Sequence, residues 1–159
     1  MLDKIMIATD GSDASRHAAS LAISLAKHSA GKVIAVYVVD MQRIAHLPGY
    51  TTMHGLKESL LDSMLEEGEE AVAYIEKKSK DDGVSFEKAI LKGNPSDELL
   101  RYSKELGTDI LVIGSIGRTG LSKFLLGSVA EKVVRHSDVP VMVVPFSTQM
   151  TTRVKIRYF

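Results

Sequence analysis

The stretch "DILVIGSIGRTGLSKFLLGSVAEKVVRHS" (109–137) joins an apolar run to an amphipathic segment through a region rich in glycine. Its first part, 109–114, has the short and continuous apolar composition of a buried strand, and 128–137 has the pattern of a helix. A glycine ends the first part, at 114, and three more lie between the two parts, at 117, 120 and 127. Glycine permits backbone conformations and close approaches that other residues resist, and a helix N-terminus attracts anions through its unpaired N–H groups. The stretch therefore predicts either a plain loop or a cradle for an anion.

The rest of the chain repeats this alternation of apolar runs and amphipathic segments. Apolar runs predict strands over 4–10, 32–39, 85–93, 109–114 and 139–145. Helical periodicity predicts helices over 12–29, 57–80, 94–106 and 128–137. Strands that alternate with helices are typical of a mostly parallel α/β sheet, and 159 residues fit a single domain of ordinary size.

Two features interrupt the regular pattern. Segment 40–56 has no clear period and is long for a connection, so we expect it to be a functional lid or a mobile insert. Gly68 falls on the apolar face of the predicted helix 57–80, where we expect it to allow close packing against a neighbouring element.

Composition excludes several function classes. Twenty basic and twenty acidic residues cancel, whereas domains that bind nucleic acid usually carry a basic excess. The chain has no cysteine, which excludes disulfides, thiolate catalysis and cysteine-ligated zinc. It has neither a signal-peptide pattern nor an apolar run of membrane-spanning length. We therefore expect a cytoplasmic protein that binds neither nucleic acid nor membrane.

The glycine-rich stretch matches neither common phosphate-binding motif, since the P-loop string and the G-x-G-x-x-G string are both absent. Its spacing is instead G-x2-G-x9-G-S, formed by Gly114, Gly117, Gly127 and Ser128. Together with "KIMIATDGSDAS" and "VIAVYVVD" near the amino end, this string resembles the ATP-binding subgroup of the universal stress protein (UspA-like) family. The resemblance predicts a nucleotide-binding domain over 1–146 and leaves 147–159 as a C-terminal tail that could add a strand.

The resemblance implies a fold and a site. The implied fold is Rossmann-like and similar to that of adenine nucleotide alpha hydrolases, with a five-stranded parallel sheet in the order 3-2-1-4-5 and helices on both faces. In such a sheet a ligand binds beyond the carboxyl ends of the strands, where the winding reverses. By resemblance, Asp10 lies beside the adenosine, the Val38 backbone contacts adenine, and the glycines with Ser128 hold ribose and phosphates. The predicted cofactor-binding residues are Thr9, Asp10, Val38, Gly114, Gly117, Arg118, Gly127, Ser128 and Val129.

Simpler interpretations exist for each of these residues. The glycines and Ser128 could form only a loop with a helix cap, and Asp10 could serve as an Asx turn or as a cap. Val38 could be only a core strand residue, and Arg118 a solvated loop cation. No two of the five histidines have the i, i+4 spacing of a helical metal site, so no metal ligand is predicted. Any Mg²⁺ would accompany a bound triphosphate through the phosphate oxygens.

The resemblance implies a regulatory or sensor protein of the stress response that binds ATP, or AMP or ADP. No catalytic residue is predicted, because nothing in the glycine stretch supplies a positioned base or fixed metal ligands. The alternatives are a slow ATPase and a protein-interaction scaffold that binds AMP or no nucleotide in the cell.

The last predicted strand bears on assembly, because an exposed apolar edge invites pairing with another chain. We expect a homodimer through Val141–Val144, as the resemblance also implies. The alternating tail "TTRVKIRYF" (151–159) is a rival, since it could cover that edge within its own chain.

Overall fold

The computed structural model of the chain describes residues 1–46, 55–116 and 126–146. The strands are β1 Lys4–Ala8, β2 Lys32–Asp40, β3 Ser85–Gly93, β4 Ile110–Gly114 and β5 Val141–Val144. The helices are α1 Asp13–Ser29, α2 Met41–Ala45, α3 Leu56–Asp81, α4 Pro95–Leu106 and α5 Ser128–His136. Among the helices that the structure describes, none combines the length and the apolar composition needed to cross a membrane. The tail 147–159 lies outside the described residues, so the predictions made for it stay predictions.

The strands form one parallel sheet in the order β3-β2-β1-β4-β5, which confirms the predicted fold class. Within it β1 pairs with β2 on one side and with β4 on the other, and Ile7 lies opposite both Ala35 and Val112. The winding of the chain reverses between β1 and β4. The carboxyl ends of these two strands are therefore neighbours at the position where open α/β sheets bind ligands.

Helices cover both faces of the sheet, as predicted. Ile5 and Ile7 of β1 pack on one face with apolar residues of α1 and α3, and Met6 packs on the other face with residues of α4 and α5. The central strands are buried on both sides, so every position along them favours an apolar residue. This two-sided burial explains the continuous apolar runs in the sequence.

Side-chain caps fix the starts of two long helices. The Ser12 hydroxyl accepts a hydrogen bond from the Ser15 N–H at 3.2 Å and begins α1. The Asn94 side-chain oxygen accepts one from the Asp97 N–H at 3.2 Å and begins α4. The turn before α1 also ends β1 at Ala8, two residues earlier than predicted.

Segment 40–56 is more ordered at its start than its pattern indicates. Asp40 is the last residue of β2, and its carboxylate caps α2 by accepting a hydrogen bond from the Gln42 N–H at 3.0 Å. Ile44 on α2 is buried in the core. This helix has only five residues, too few to display a helical period, which is why the sequence did not reveal it. Residues 47–54, the remainder of the expected lid, lie outside the described residues.

Gly68 permits the close contact between α3 and β2 that its position predicts. A Cβ atom at Gly68 would lie 2.7 Å from Cδ1 of Tyr37, and the Tyr37 ring is buried. A buried ring cannot move aside as an exposed side chain would. The absence of a side chain at Gly68 therefore sets the distance between α3 and the sheet.

We predict that Gly68→Ala lowers the free energy of unfolding by about 1–2 kcal/mol, since overpacking outweighs the gain in helix propensity. Urea denaturation measures the change. The matched test repeats the substitution in a Tyr37→Val background, where the smaller side chain removes the clash. Gly68→Ala should then lower the free energy of unfolding by less. An equal decrease in the two backgrounds would show that the Tyr37 ring does not limit the side chain at position 68.

Asp109 ties the start of β1 to the start of β4. Its carboxylate accepts hydrogen bonds from the backbone N–H groups of Lys4 and Asp3, both at 2.8 Å. The Lys4 N–H, followed by that of Asp3, holds the pKa of the Asp109 carboxyl below its usual range, although partial desolvation opposes this effect. The ionised form of Asp109 is therefore favoured in the folded chain.

We predict that Asp109→Asn lowers stability by about 1 kcal/mol at neutral pH, because charge-assisted hydrogen bonds become neutral ones. A lowered pKa contributes stability above the ordinary aspartate pKa of about 3.9, and this contribution is lost as the pH falls through the folded-state pKa. The difference between parent and variant should therefore shrink below about pH 4. Denaturation curves between pH 3 and 7 test this, with Asp62→Asn, which removes an exposed carboxylate of α3, as the control. A difference that stays constant with pH would contradict the assignment.

Candidate functional site

A cavity of about 390 Å³ opens at the carboxyl ends of β1, β2 and β4. This volume lies in the range of small-molecule sites. The predicted site residues that line it are Thr9, Asp10, Val38, Gly114, Gly127, Ser128 and Val129. Gly117 and Arg118, the other two predicted contacts, lie outside the described residues. The structure thus brings together residues from distant parts of the sequence, and their contacts with a ligand stay predictions.

The floor of the cavity at the end of β1 is held by hydroxyl groups. The hydroxyls of Thr9 and Ser15 are 3.1 Å apart, and both residues are buried. The Thr9 hydroxyl also accepts a hydrogen bond from the Gly11 N–H at 3.2 Å, and the Ser15 hydroxyl donates to the Ser12 carbonyl at 2.9 Å. These bonds fix the turn between β1 and α1, which carries Asp10.

Asp10 forms the Asx turn that was its simpler interpretation, and it also lines the cavity. One carboxylate oxygen accepts a hydrogen bond from the Ser12 N–H at 3.0 Å. The same bond orients the side chain at the rim of the cavity. The structural role and the predicted ligand role are therefore compatible.

The start of α5 presents backbone N–H groups to the cavity. Gly127 is its N-cap, and no side chain in the described part of the chain caps this helix, in contrast to α1 and α4. The Gly127 carbonyl accepts from the Glu131 N–H at 2.8 Å, as in a regular first turn. The N–H groups of the first residues of a helix have no partner within it. Ser128, Val129 and Ala130 hold these groups at the cavity wall, where an anion could accept hydrogen bonds from them.

Gly114 has a packing role that its place in the glycine string does not indicate. A Cβ atom there would lie 3.3 Å from the backbone carbon and oxygen of Ala14. This glycine therefore lets α1 approach the end of β4 closely. It lines the cavity as well, but the position of α1 already accounts for its small size.

The other end of the cavity is mainly apolar, although Asp40 and Arg43 also line the cavity. Val36 and Val38 of β2 line it together with Leu99 of α4. Met64 and Pro95 complete this surface. An apolar wall of this kind suits a flat aromatic group rather than a phosphate.

The backbone of Val38 faces the cavity because β2 continues after β1 has ended. Ala8, the last residue of β1, lies opposite Val36, and the Val36 carbonyl accepts from the Thr9 N–H at 2.9 Å. Successive residues of a strand direct their N–H and C=O groups to alternate sides. Val38 therefore directs both groups toward the same side as Val36, where β1 no longer supplies a partner. This explains how a strand residue could offer backbone hydrogen bonds to a ligand.

Sequence reasoning missed several residues of the cavity wall. Ser15, Met64, Leu99 and Arg43 line it, although none belongs to the glycine string or to the turn after β1. Only the tertiary fold brings their elements to one place, so no local signal could identify them. Within residues 1–46, 55–116 and 126–146, no group of three or more His, Asp or Glu side chains is placed to hold a metal ion.

Comparisons with known proteins agree with the fold. The family model described as "Universal stress protein family" matches residues 1–145. The chain is 40% identical to the universal stress protein MJ0531 of Methanocaldococcus jannaschii over 141 residues. This match covers 89% of this chain and 81% of that protein. The solved structure of MJ0577, from the same organism, matches with a TM-score of 0.82 and 30% identity over 93% of this chain and 99% of that one. A universal stress protein solved in complex with cAMP matches with a TM-score of 0.65 and 26% identity over 92% of this chain and 98% of that one.

Proposed function

The chain belongs to the universal stress protein family, and we propose that it is a regulatory protein of the stress response that binds adenine nucleotides in this cavity. The observation that carries the proposal is the division of the cavity into two unlike ends. Unpaired N–H groups of α5 lie at one end, and the apolar wall with the Val38 backbone lies at the other. A nucleotide has the complementary division into phosphate and base. The relative solved with cAMP supports an adenine nucleotide as the ligand class.

ATP is the proposed ligand, with ADP or AMP occupying the same base end. The support is the complete G-x2-G-x9-G-S string, which marks the ATP-binding subgroup that the sequence resembles. Ser128 and Val129 would hold phosphates through their N–H groups and the Ser128 hydroxyl. The Gly127 N–H donates to the Ser115 carbonyl at 2.8 Å, so Gly127 would contribute by letting a phosphate approach closely. Gly117 and Arg118 are proposed as further phosphate contacts, and Mg²⁺ would be bound mainly by the triphosphate.

We propose binding, rather than turnover, as the biochemical role, and we assign no catalytic residue. A bound nucleotide would then act by favouring one conformation of the chain over another. The proposed setting is the cytoplasm, where ATP is available.

We predict that the protein binds ATP with a dissociation constant in the micromolar range, which corresponds to about −8 kcal/mol. Gly127→Val should weaken binding at least about tenfold, because the side chain would stand where a phosphate approaches the α5 N-terminus. Gly127 has φ −61° and ψ 151°, a conformation that valine adopts without strain, so the variant should fold. Isothermal titration calorimetry measures both affinities.

Ala73→Val is the control, since it introduces the same side chain at an exposed position of α3 away from the cavity. It should leave ATP affinity unchanged. If Gly127→Val binds ATP as tightly as this control, the phosphate end has been assigned wrongly. Circular dichroism on both variants establishes that the comparison is made between folded proteins.

We also propose that the protein is a homodimer through β5. This strand lies at one edge of the described sheet, and Val141, Met142 and Val143 are only partly buried. The Pro140 and Val144 carbonyls accept hydrogen bonds from N–H groups of Leu111 and Ser115, so these two residues face β4. Val141 and Val143, in the alternate positions, direct their backbone groups to the open edge. A second copy could pair there in a closed, two-fold contact.

We predict a dimer by size exclusion with light scattering at tens of micromolar protein. Val143→Pro should convert it to a monomer, because proline removes an edge-facing N–H while leaving the bonds to β4 intact. Val143→Thr keeps that N–H and should remain dimeric. A monomeric parent protein would reject the dimer, and dimerisation on deleting 148–159 would then identify the tail as the cover of the edge.

A further inference from the structure

The short helix α2 is held firmly at the apolar end of the cavity. Asp40 caps its start, and Ile44 anchors it in the core. The side chain of Asn94, the cap of α4, donates a hydrogen bond to the Gln42 side-chain oxygen at 3.4 Å. This weak bond links α2 to the helix on the opposite side of the apolar wall. A residue on α2 is thus positioned by three independent contacts.

Arg43 lies on α2 between the cap and the anchor, and it lines the cavity. The other arginines that the structure describes are engaged elsewhere. Arg16 lies over the Tyr74 ring, Arg101 pairs with two glutamates, and Arg135 pairs with Glu131. Among the described residues, Arg43 has no carboxylate within ion-pair distance and no ring beneath it. Its guanidinium is therefore available to a ligand.

We propose that Arg43 contacts the base of the bound nucleotide and increases affinity for it, a role that rests on the proposed function. The position of α2 favours the base over the phosphates. It follows directly after β2, whereas the phosphate end follows β4, and β1 separates these strands. Strands in a sheet are about 4.8 Å apart, so the two ends are separated by about 10 Å.

The chemistry of the guanidinium suits this position. It is planar, it is weakly hydrated for a cation, and it stacks on aromatic rings. Val36 and Leu99, which also line the cavity, belong to the apolar cluster on the other face of the sheet from Ile44 of α2. A base between the apolar wall and Arg43 would be covered on both faces. A ligand without a base would gain nothing from Arg43.

The test compares AMP with ribose 5-phosphate, which lacks the base but retains sugar and phosphate. Arg43→Leu should weaken AMP binding about 3- to 30-fold, the range of a partly desolvated cation–π contact. It should leave the affinity for ribose 5-phosphate unchanged. Arg43→Lys, which keeps the charge but loses the planar group, should also weaken AMP. NMR titration suits both probes, because it measures weak binding.

Arg16→Leu is the matched control, as it removes the same charge from an arginine that does not line the cavity. Equal losses for AMP and ribose 5-phosphate in Arg43→Leu would place Arg43 on the phosphate or sugar and overturn the proposal. An Arg43→Leu variant that binds AMP as tightly as the Arg16→Leu control would also overturn the proposal. These outcomes leave the proposed function intact, whereas failure of the parent protein to bind any adenine nucleotide would overturn the function and this role together.

Discussion

The early end of β1 is the constraint on which the rest of the site depends. β1 stops at Ala8, opposite Val36, while β2 continues for four more residues to Asp40. On the other side β4 extends two residues past its last pairing with β1, at Val112, to Gly114. β1 thus leaves a notch between two neighbours that extend further at their carboxyl ends. The backbone groups of β2 and β4 that face this notch have no partner on β1, so a ligand bound there could pair with them. The capped turn at Ser12 enforces this geometry, because it commits the chain to α1 immediately.

The stability of this framework comes from burial and not from surface charge. The central strands bury apolar residues against helices on both faces, which is the main favourable contribution to folding. The ion pairs that connect elements, such as Lys132–Asp97 and Lys104–Asp138, are each 2.8 Å long but largely exposed. Exposed pairs of this kind contribute about 0–1 kcal/mol each. The apolar residues of the cavity wall, such as Val36 and Leu99, belong to this buried core and serve folding as well. Arg43 is exposed and pairs with no carboxylate of the described residues, so folding places less demand on it.

The sequence predicts the fold well because its strands and long helices each have a distinct local pattern. The strand order came only from the family resemblance, since alternation of strands and helices leaves several orders open. Two parts of the structure had no local signal. The helix α2 is too short to show a period, and Arg43 reaches the cavity only because that helix exists. Gly114 shows the opposite case: it lines the cavity, but its close approach to Ala14 gives a packing reason for glycine that the glycine string does not indicate. Its contact with a ligand stays a prediction. Proximity between elements is a tertiary property, so the apolar half of the wall could not be predicted from residue patterns.

Under the proposed function, the two ends of the cavity would have different tasks. ATP, ADP and AMP share one base, so the α2 end would contribute equally to all three. They differ only in their phosphates, which reach the α5 end and the glycine-rich stretch before it. Discrimination among the three nucleotides would therefore arise at the α5 end. The α2 end would supply the affinity that they have in common. A ligand present at a thousandfold its dissociation constant stabilises the state that binds it by about 4 kcal/mol. That amount is enough to change a conformational population by about a thousandfold, so binding alone could serve as a signal without hydrolysis.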